Sequence, residues 1–375
     1  LANYSGMWSL EAQMQAVAAG TWTGQPFLYA WGYNAEGQLG LGNTTQYNSP
    51  KQVGAVTTWL SIAGGGLHTI ARKTDGTLWT WGYNLNGQLG LGDTTNRSSP
   101  VQVGALTTWL SIASGVYHTI ATKTDGTLWT WGWNPYGQLG LGDTTNRSSP
   151  VQVGALTTWS SIAGGGFHTI ARKTDGTLWT WGLNNYSQLG LGDTTNRSSP
   201  VQVGALTTWS SIAGGRFHTI ATRTDGTLWT WGRNSSGQLG LGDTTERSSP
   251  VQVGALTTWS SIAGGGYHTI ARKTDGTLWT WGYNIQGQLG LGDTTNRLSP
   301  VQVGAVTTWS SIAGGSYYTI ATKTDGTLWT WGNNGNGELG LGDETNRSSP
   351  VQVGALTTWS SIAGGGYHTI ALTNG

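Results

Sequence analysis

The chain has 375 residues, with 62 glycines, 23 tryptophans, no cysteine, 9% charged residues and a formal net charge of +1. The missing cysteine excludes a disulfide scaffold, a thiol nucleophile and thiolate metal sites, and near-neutrality leaves no basic field, so no nucleic-acid binding is expected. No apolar run approaches the roughly 18 residues of a spanning helix, so no membrane span is expected, and 10% aromatic residues argue for a folded core despite the glycine.

Residues 1–25 differ in character from the rest of the chain. Their spacing predicts a short helix with Ser9 as N-cap, Leu10, Met14, Val17 and Ala18 along one side, and Gly20 ending it. From residue 26 onward the chain repeats itself. Trp-Gly recurs at 31, 81, 131, 181, 231, 281 and 331, always 50 residues apart, and a period of this length marks a repeat architecture. Twenty of the 23 tryptophans fall at three repeated positions, leaving Trp8, Trp22 and Trp133 as exceptions.

One unit, Trp159 to Thr208, reads as four short strands: Ser160–Ala163, Phe167–Arg172, Thr177–Trp181 and Pro200–Val203. The second and third flank Asp175-Gly176, a two-residue hairpin signal, and the fourth comes after a long loop rich in Gly, Asn, Thr and Ser. Nothing in the unit has helical periodicity. Four strands repeated seven times predict an all-β fold, a seven-bladed β-propeller over residues 26–375. Trp179 and Trp181 share a strand face and are expected to wedge between blades. Small residues such as Ser161 and Ala163 suit the crowded strand nearest the axis. The last unit stops after two strands, and Phe27-Leu28-Tyr29-Ala30-Trp31-Gly32 supplies the missing third, so the ring should close with two strands from each terminus. Residues 1–25 would then plug or cap the ring, or serve assembly.

The chemistry-bearing residues are as repetitive as the strands. All six histidines occupy one repeat position, from His68 to His368, with Tyr318 in the remaining unit. A catalytic histidine is normally unique and paired, so these are expected to be structural hydrogen-bonding residues. Asp75 and its equivalents are turn residues, and Asp93 and its equivalents open a loop as Asx-turns. Isolated carboxylates do not make a calcium site. No cofactor, metal site or enzymatic activity is expected.

The units differ at few positions. After Trp-Gly stand Tyr33, Tyr83, Trp133, Leu183, Arg233, Tyr283 and Asn333, and three residues on come Glu36, Asn86, Tyr136, Tyr186, Ser236, Gln286 and Asn336. A third site reads Gly66, Val116, Gly166, Arg216, Gly266, Ser316 and Gly366. These sites lie in the loops after the first and third strands, which emerge on one face, whereas the uniform turns emerge on the other. The substitutions favour aromatic and Arg side chains, as in a paratope. The expected binding face comprises Tyr33, Tyr83, Trp133, Tyr136, Tyr186, Arg216, Arg233 and Tyr283, with a protein or glycan as ligand.

WGYNLNGQLGLG at 81–92 with its counterparts, and IAGGGYHTIA at 262–271, resemble the regulator-of-chromosome-condensation repeat. That resemblance implies a seven-bladed propeller closed by both termini. Family members include exchange factors for a small nuclear GTPase, a plant UV-B photoreceptor, ubiquitin-ligase modules and secreted β-lactamase inhibitors. The exchange factors imply charged chromatin contacts and blade insertions, neither of which this chain of uniform 50-residue units has, and the photoreceptor implies Gly-Trp-Arg-His where this chain has Gly265-Gly266-Tyr267-His268, so neither specialised reading is favoured. The Gly-x-Trp-Ser-Leu start is similar to leaders of structural proteins of marine tailed phages. The leading expectation is therefore an extracellular or virion-borne recognition module. A structural subunit of a virion or surface filament comes second, and an intracellular regulator of exchange-factor type third.

Overall fold

In the computed structural model, which describes residues 26–374, each unit folds as a four-stranded antiparallel sheet, and there are seven such sheets. The helix expected between Ser9 and Gly20 lies outside the described residues. The strands are numbered in chain order from β1 (Leu28–Gly32) to β28 (His368–Thr373). In the unit from Trp159 to Thr208 they are β11 (Trp159–Gly164), β12 (His168–Lys173), β13 (Leu178–Gly182) and β14 (Arg197–Gln202).

Two local details differ from the sequence expectation. The Asp-Gly hairpin has three loop residues rather than two: Lys173 N donates to Thr177 O and Gly176 N to Lys173 O, each at 3.0 Å. Only Gly176 has positive φ, at 80°, whereas a two-residue mirror-image turn needs positive φ at both central residues. Asp175 has another task, because its Oδ1 accepts from the Thr177 backbone at 2.9 Å and hydroxyl at 2.7 Å. The fourth strand also begins earlier than Pro200. Arg197 pairs with Gly182 across a bulge before regular pairing resumes at Val201 and Thr180. A proline is tolerated there because the strand is the outer edge of its sheet.

The core lies between blades. Trp159 meets Trp179 edge-on and Trp181 at a tilt, with ring centroids 6.2 and 6.1 Å apart. With Ala171, Trp159 and Trp181 pack on Ile120, Leu128 and Val153 of the preceding unit. Each fully buried tryptophan removes about 200 Å² of mostly apolar surface from water, a gross gain of roughly 5 kcal/mol. The Lys173 ammonium lies 3.7 Å from the centre of the Trp179 ring, covering its outer side. The first strands line the axis: β11 packs against its counterparts β7 (Trp109–Ser114) and β15 (Trp209–Gly214).

The ring closes as expected. One sheet runs β2-β1-β28-β27, combining β1 and β2 (Tyr47–Gln52) with β27 (Trp359–Gly364) and β28. Its central register runs without a break from Leu28 opposite Leu372 to Gly32 opposite His368.

Candidate functional site: an aromatic arc on one face

The face begins on a belt of buried polar groups. His68 Nε2–H donates to Thr119 Oγ1 of the next blade at 3.1 Å, and the Thr119 hydroxyl spends its own proton on Gln88 O at 2.8 Å. That second bond fixes the imidazole as the Nε2–H tautomer. The link recurs from His118 to Thr169, His168 to Thr219, His218 to Thr269, His268 to Thr319, and His368 to Thr69. Burial pushes each of these histidines down to about 3, so they are neutral at pH 7. They are structural hydrogen-bonding residues, as the sequence suggested, but they join neighbouring blades rather than act within one. Gly65 precedes His68 because a Cβ there would overlap the imidazole.

The seventh link is built differently. Tyr318 OH donates to the His368 carbonyl and lies 3.1 Å from Thr369 Oγ1. In the same unit Glu338 stands where six units have glutamine. Its Oε2 accepts from Asn336 N at 2.7 Å, and its buried Oε1 has no partner among the described residues. Burial raises the Glu338 carboxyl to about 7.

Immediately above the belt the loops meet. Tyr83 N donates to Leu67 O and Trp133 N to Tyr117 O, both at 2.9 Å, pinning the loop after the third strand to the loop after the first. Around the axial mouth the backbone bonds from blade to blade, with Gly66 N donating to Val116 O at 3.0 Å and Arg216 N to Gly266 O at 3.1 Å. The loops thus form a continuous platform.

Seven of the eight sequence-predicted residues come together on it. Tyr83 meets Tyr117 at 6.0 Å between ring centroids, and Tyr117 meets Trp133 at 5.8 Å. Trp133 contacts Tyr136 at 5.3 Å and Phe167 at 5.7 Å. Phe167 then meets Phe217 at 5.6 Å, and Phe217 meets Tyr186 at 5.1 Å and Tyr267 at 6.3 Å. Tyr267 stacks on Tyr317 at 5.4 Å, with Tyr283 6.2 and 6.0 Å from the pair. Arg216 lies over Phe167 and Phe217 at 5.5 and 5.6 Å, and Arg233 over Tyr186 at 4.9 Å. Tyr33 is the exception: it pairs with Tyr367 at 6.4 Å, outside this arc.

Sequence comparison between units missed the residues that knit the arc. Tyr117, Phe167, Phe217, Tyr267, Tyr317 and Tyr367, with Leu67 in the seventh unit, immediately precede the belt histidine or Tyr318. They escaped notice because nearly all are aromatic, so they do not register as variable. The signal that could have found them is strand alternation, which places the residue before a buried histidine on the open side. Burial and the neighbouring Tyr267 push the Tyr317 phenol up to about 12. The arc therefore offers phenol and phenyl rings, one indole and two guanidinium groups. Among the described residues no three metal-ligating side chains converge, and no helix is long and apolar enough to cross a membrane.

Comparison with known proteins agrees with this architecture. The regulator of chromosome condensation (RCC1) repeat matches seven times, over residues 27–72, 75–122, 125–172, 175–222, 225–272, 275–322 and 325–372. No curated protein matches the sequence. Prp20p from Saccharomyces cerevisiae, described with its binding properties to Gsp1p and histones, superposes with a TM-score of 0.85 at 22% identity, over 94% of this chain and 92% of its own. Yeast RCC1 (Prp20) bound to Kap60 gives 0.84 at 22% identity, over 93% and 89%. Human WBSCR16 gives 0.83 at 22% identity, over 93% and 99%. At this identity the likeness shows the fold. The extracellular or virion location expected from the sequence is corrected by these structures: those sharing the whole ring include a protein seen with Kap60 and characterised with Gsp1p and histones, not a virion or surface assembly. The low charge and aromatic loops behind that expectation belong to the repeat and carry no address. The matches span nearly all of the described residues, and the chain belongs to the regulator of chromosome condensation (RCC1) repeat family.

Proposed function

We propose that this propeller is a non-enzymatic protein-binding regulator of exchange-factor type, which grips a folded protein partner with the aromatic arc. The observation that carries the reading is the unbroken series of ring contacts from Tyr83 to Tyr317, with Arg216 and Arg233 over its middle. Rings already packed on one another lose little side-chain entropy when a partner arrives, which is how rigid aromatic anchors concentrate binding energy. The two guanidinium groups call for a carboxylate on the partner opposite Phe217. The binding of Gsp1p by Prp20p, a protein of the same fold, makes a small GTPase the first partner to try.

The test is a panel of small GTPases loaded with a fluorescent guanine nucleotide and mixed with the purified chain. The expected outcome is selective binding of one member and faster nucleotide release from it. Binding without accelerated release would keep the interaction module and remove the exchange activity. Binding left intact by Phe217→Ala and Arg233→Ala would place the partner elsewhere.

A further inference from the structure

The face opposite the arc is less uniform than its turns suggest. The second residue of the first strand is serine in five units, Ser160, Ser210, Ser260, Ser310 and Ser360. Three of these donate back to a strand carbonyl, Ser160 to Arg172 O and Ser260 to Arg272 O at 3.0 Å, and Ser360 to Leu372 O at 3.2 Å. In two adjacent units the residue is instead Leu60, 47% exposed, and Leu110, 48% exposed. They start neighbouring innermost strands, β3 (Trp59–Gly64) and β7, which pack side by side at the axis. Val56 and Leu106, in the loops leading into those strands, are 41% and 47% exposed. Four aliphatic side chains thus face water on two adjoining blades, where other units present a hydroxyl at half the positions.

This patch adjoins the cut in the ring. In uncut blades the Asp-Gly turn leans on the loop leading into the next blade. A Cβ on Gly76 would run into Thr107 O, and Trp109 N donates to Gly76 O at 3.3 Å. In the closing blade that turn is absent: Thr373 N donates to Phe27 O at 3.0 Å, and β1 starts directly after it. The described chain therefore starts, at residue 26, where a turn would have touched residues 56–58, next to Val56 and Leu60. Residues 1–25 carry both methionines of the chain, with Trp8, Leu10, Val17 and Trp22, and a single charge, Glu11. Even as a helix they would reach about 35 Å, enough to pass from one blade to the next.

We infer that residues 1–25 dock their apolar side chains on the Val56, Leu60, Leu106 and Leu110 patch. The sevenfold pattern is broken by leucine beside the point from which the segment departs, and the segment is the apolar occupant tethered there. This is independent of the arc, which lies on the other face.

Hydrogen exchange on the full chain, compared with a Leu60→Ser/Leu110→Ser double variant, decides the matter. The substitutions install the residue found in the other five units, so the melting temperature should hold. Amides between 7 and 22 should exchange at least about tenfold more slowly in the unaltered chain than in the variant. Equal rates in the two proteins overturn the inference. So does a variant that changes the sedimentation coefficient while exchange in 7–22 stays the same, since the patch would then be a contact between copies.

Discussion

The belt histidines set how the molecule responds to acid. Each is held near 3 in the fold against 6.5 for an unperturbed imidazole. A depressed folded value means that the stabilisation is complete above pH 6.5 and drains away as pH falls towards 3, because the unfolded chain takes up protons that the fold refuses. Six copies act together, so the melting temperature should fall by more than about 10 °C between pH 7 and pH 4.5. A flat profile over that interval would mean the imidazoles can charge in place. Glu338 works in the opposite direction. Its folded value is raised to about 7 by burial, so the carboxyl is harmless below about 4.5 and costs most once pH exceeds 7. Glu338→Gln, which restores the residue of the other six units, should raise the melting temperature by a few degrees at pH 8 and hardly at all at pH 5. An equal gain at both values would trace the effect to packing rather than ionisation. The structural role of the histidines was legible from their repetition alone. The raised carboxyl was not, since nothing in Gly-Glu-Leu-Gly says that its side chain points into a blade junction.

Among the elements, the loop after the third strand shows local chemistry bending to the arc. Gly37, Gly87, Gly137 and Gly237 hold its turn with φ between 78° and 81°, and in one unit Ser187 takes the position at φ 59°. Ser187 is the one non-glycine residue with positive φ among the described residues, and it comes directly after Tyr186, which packs on Phe217. A left-handed serine costs about 1 kcal/mol relative to glycine. Ser187→Gly should therefore gain roughly that amount in chemical denaturation; a loss would show that the serine hydroxyl has a compensating partner. The strands themselves were readable because apolar alternation and the Asp-Gly signal recur in almost every unit. What escaped were features that depend on three dimensions: the bulge that starts β14 at Arg197, and the ring-to-ring contacts of Phe167 and Phe217. Tyr33 shows the converse. It shares its repeat position with Tyr83, but its ring meets Tyr367, and Leu67 stands where the other units have an aromatic residue, so the arc stops short of it.

For the molecule as a whole, closure is the step on which the ring depends. β1 and β2 complete a sheet whose other half comes from the far end of the chain, and the junction on one side carries the Tyr318 and Glu338 departures. Removing residues 26–52 would leave β28 as a bare edge and strip Leu28, Ala30 and Trp31 from two inter-blade clusters. Such a chain should lose its cooperative thermal transition and aggregate; a soluble protein with an unchanged melting curve would show that six blades suffice. Ring, blade number and closure were all written in the 50-residue period, whereas the proposed binding face depended on residues that break that period together with aromatic residues that do not, and on what they touch.

The most direct check of that face is the triple variant Tyr83→Ala, Trp133→Ala and Arg233→Ala, measured for affinity to the captured partner and for thermal stability in parallel. Binding should weaken by at least about a hundredfold while the melting temperature moves by less than about 3 °C, because all three side chains lie above the blade cores. Undiminished affinity in a folded triple variant would contradict the assignment of the arc as the binding surface.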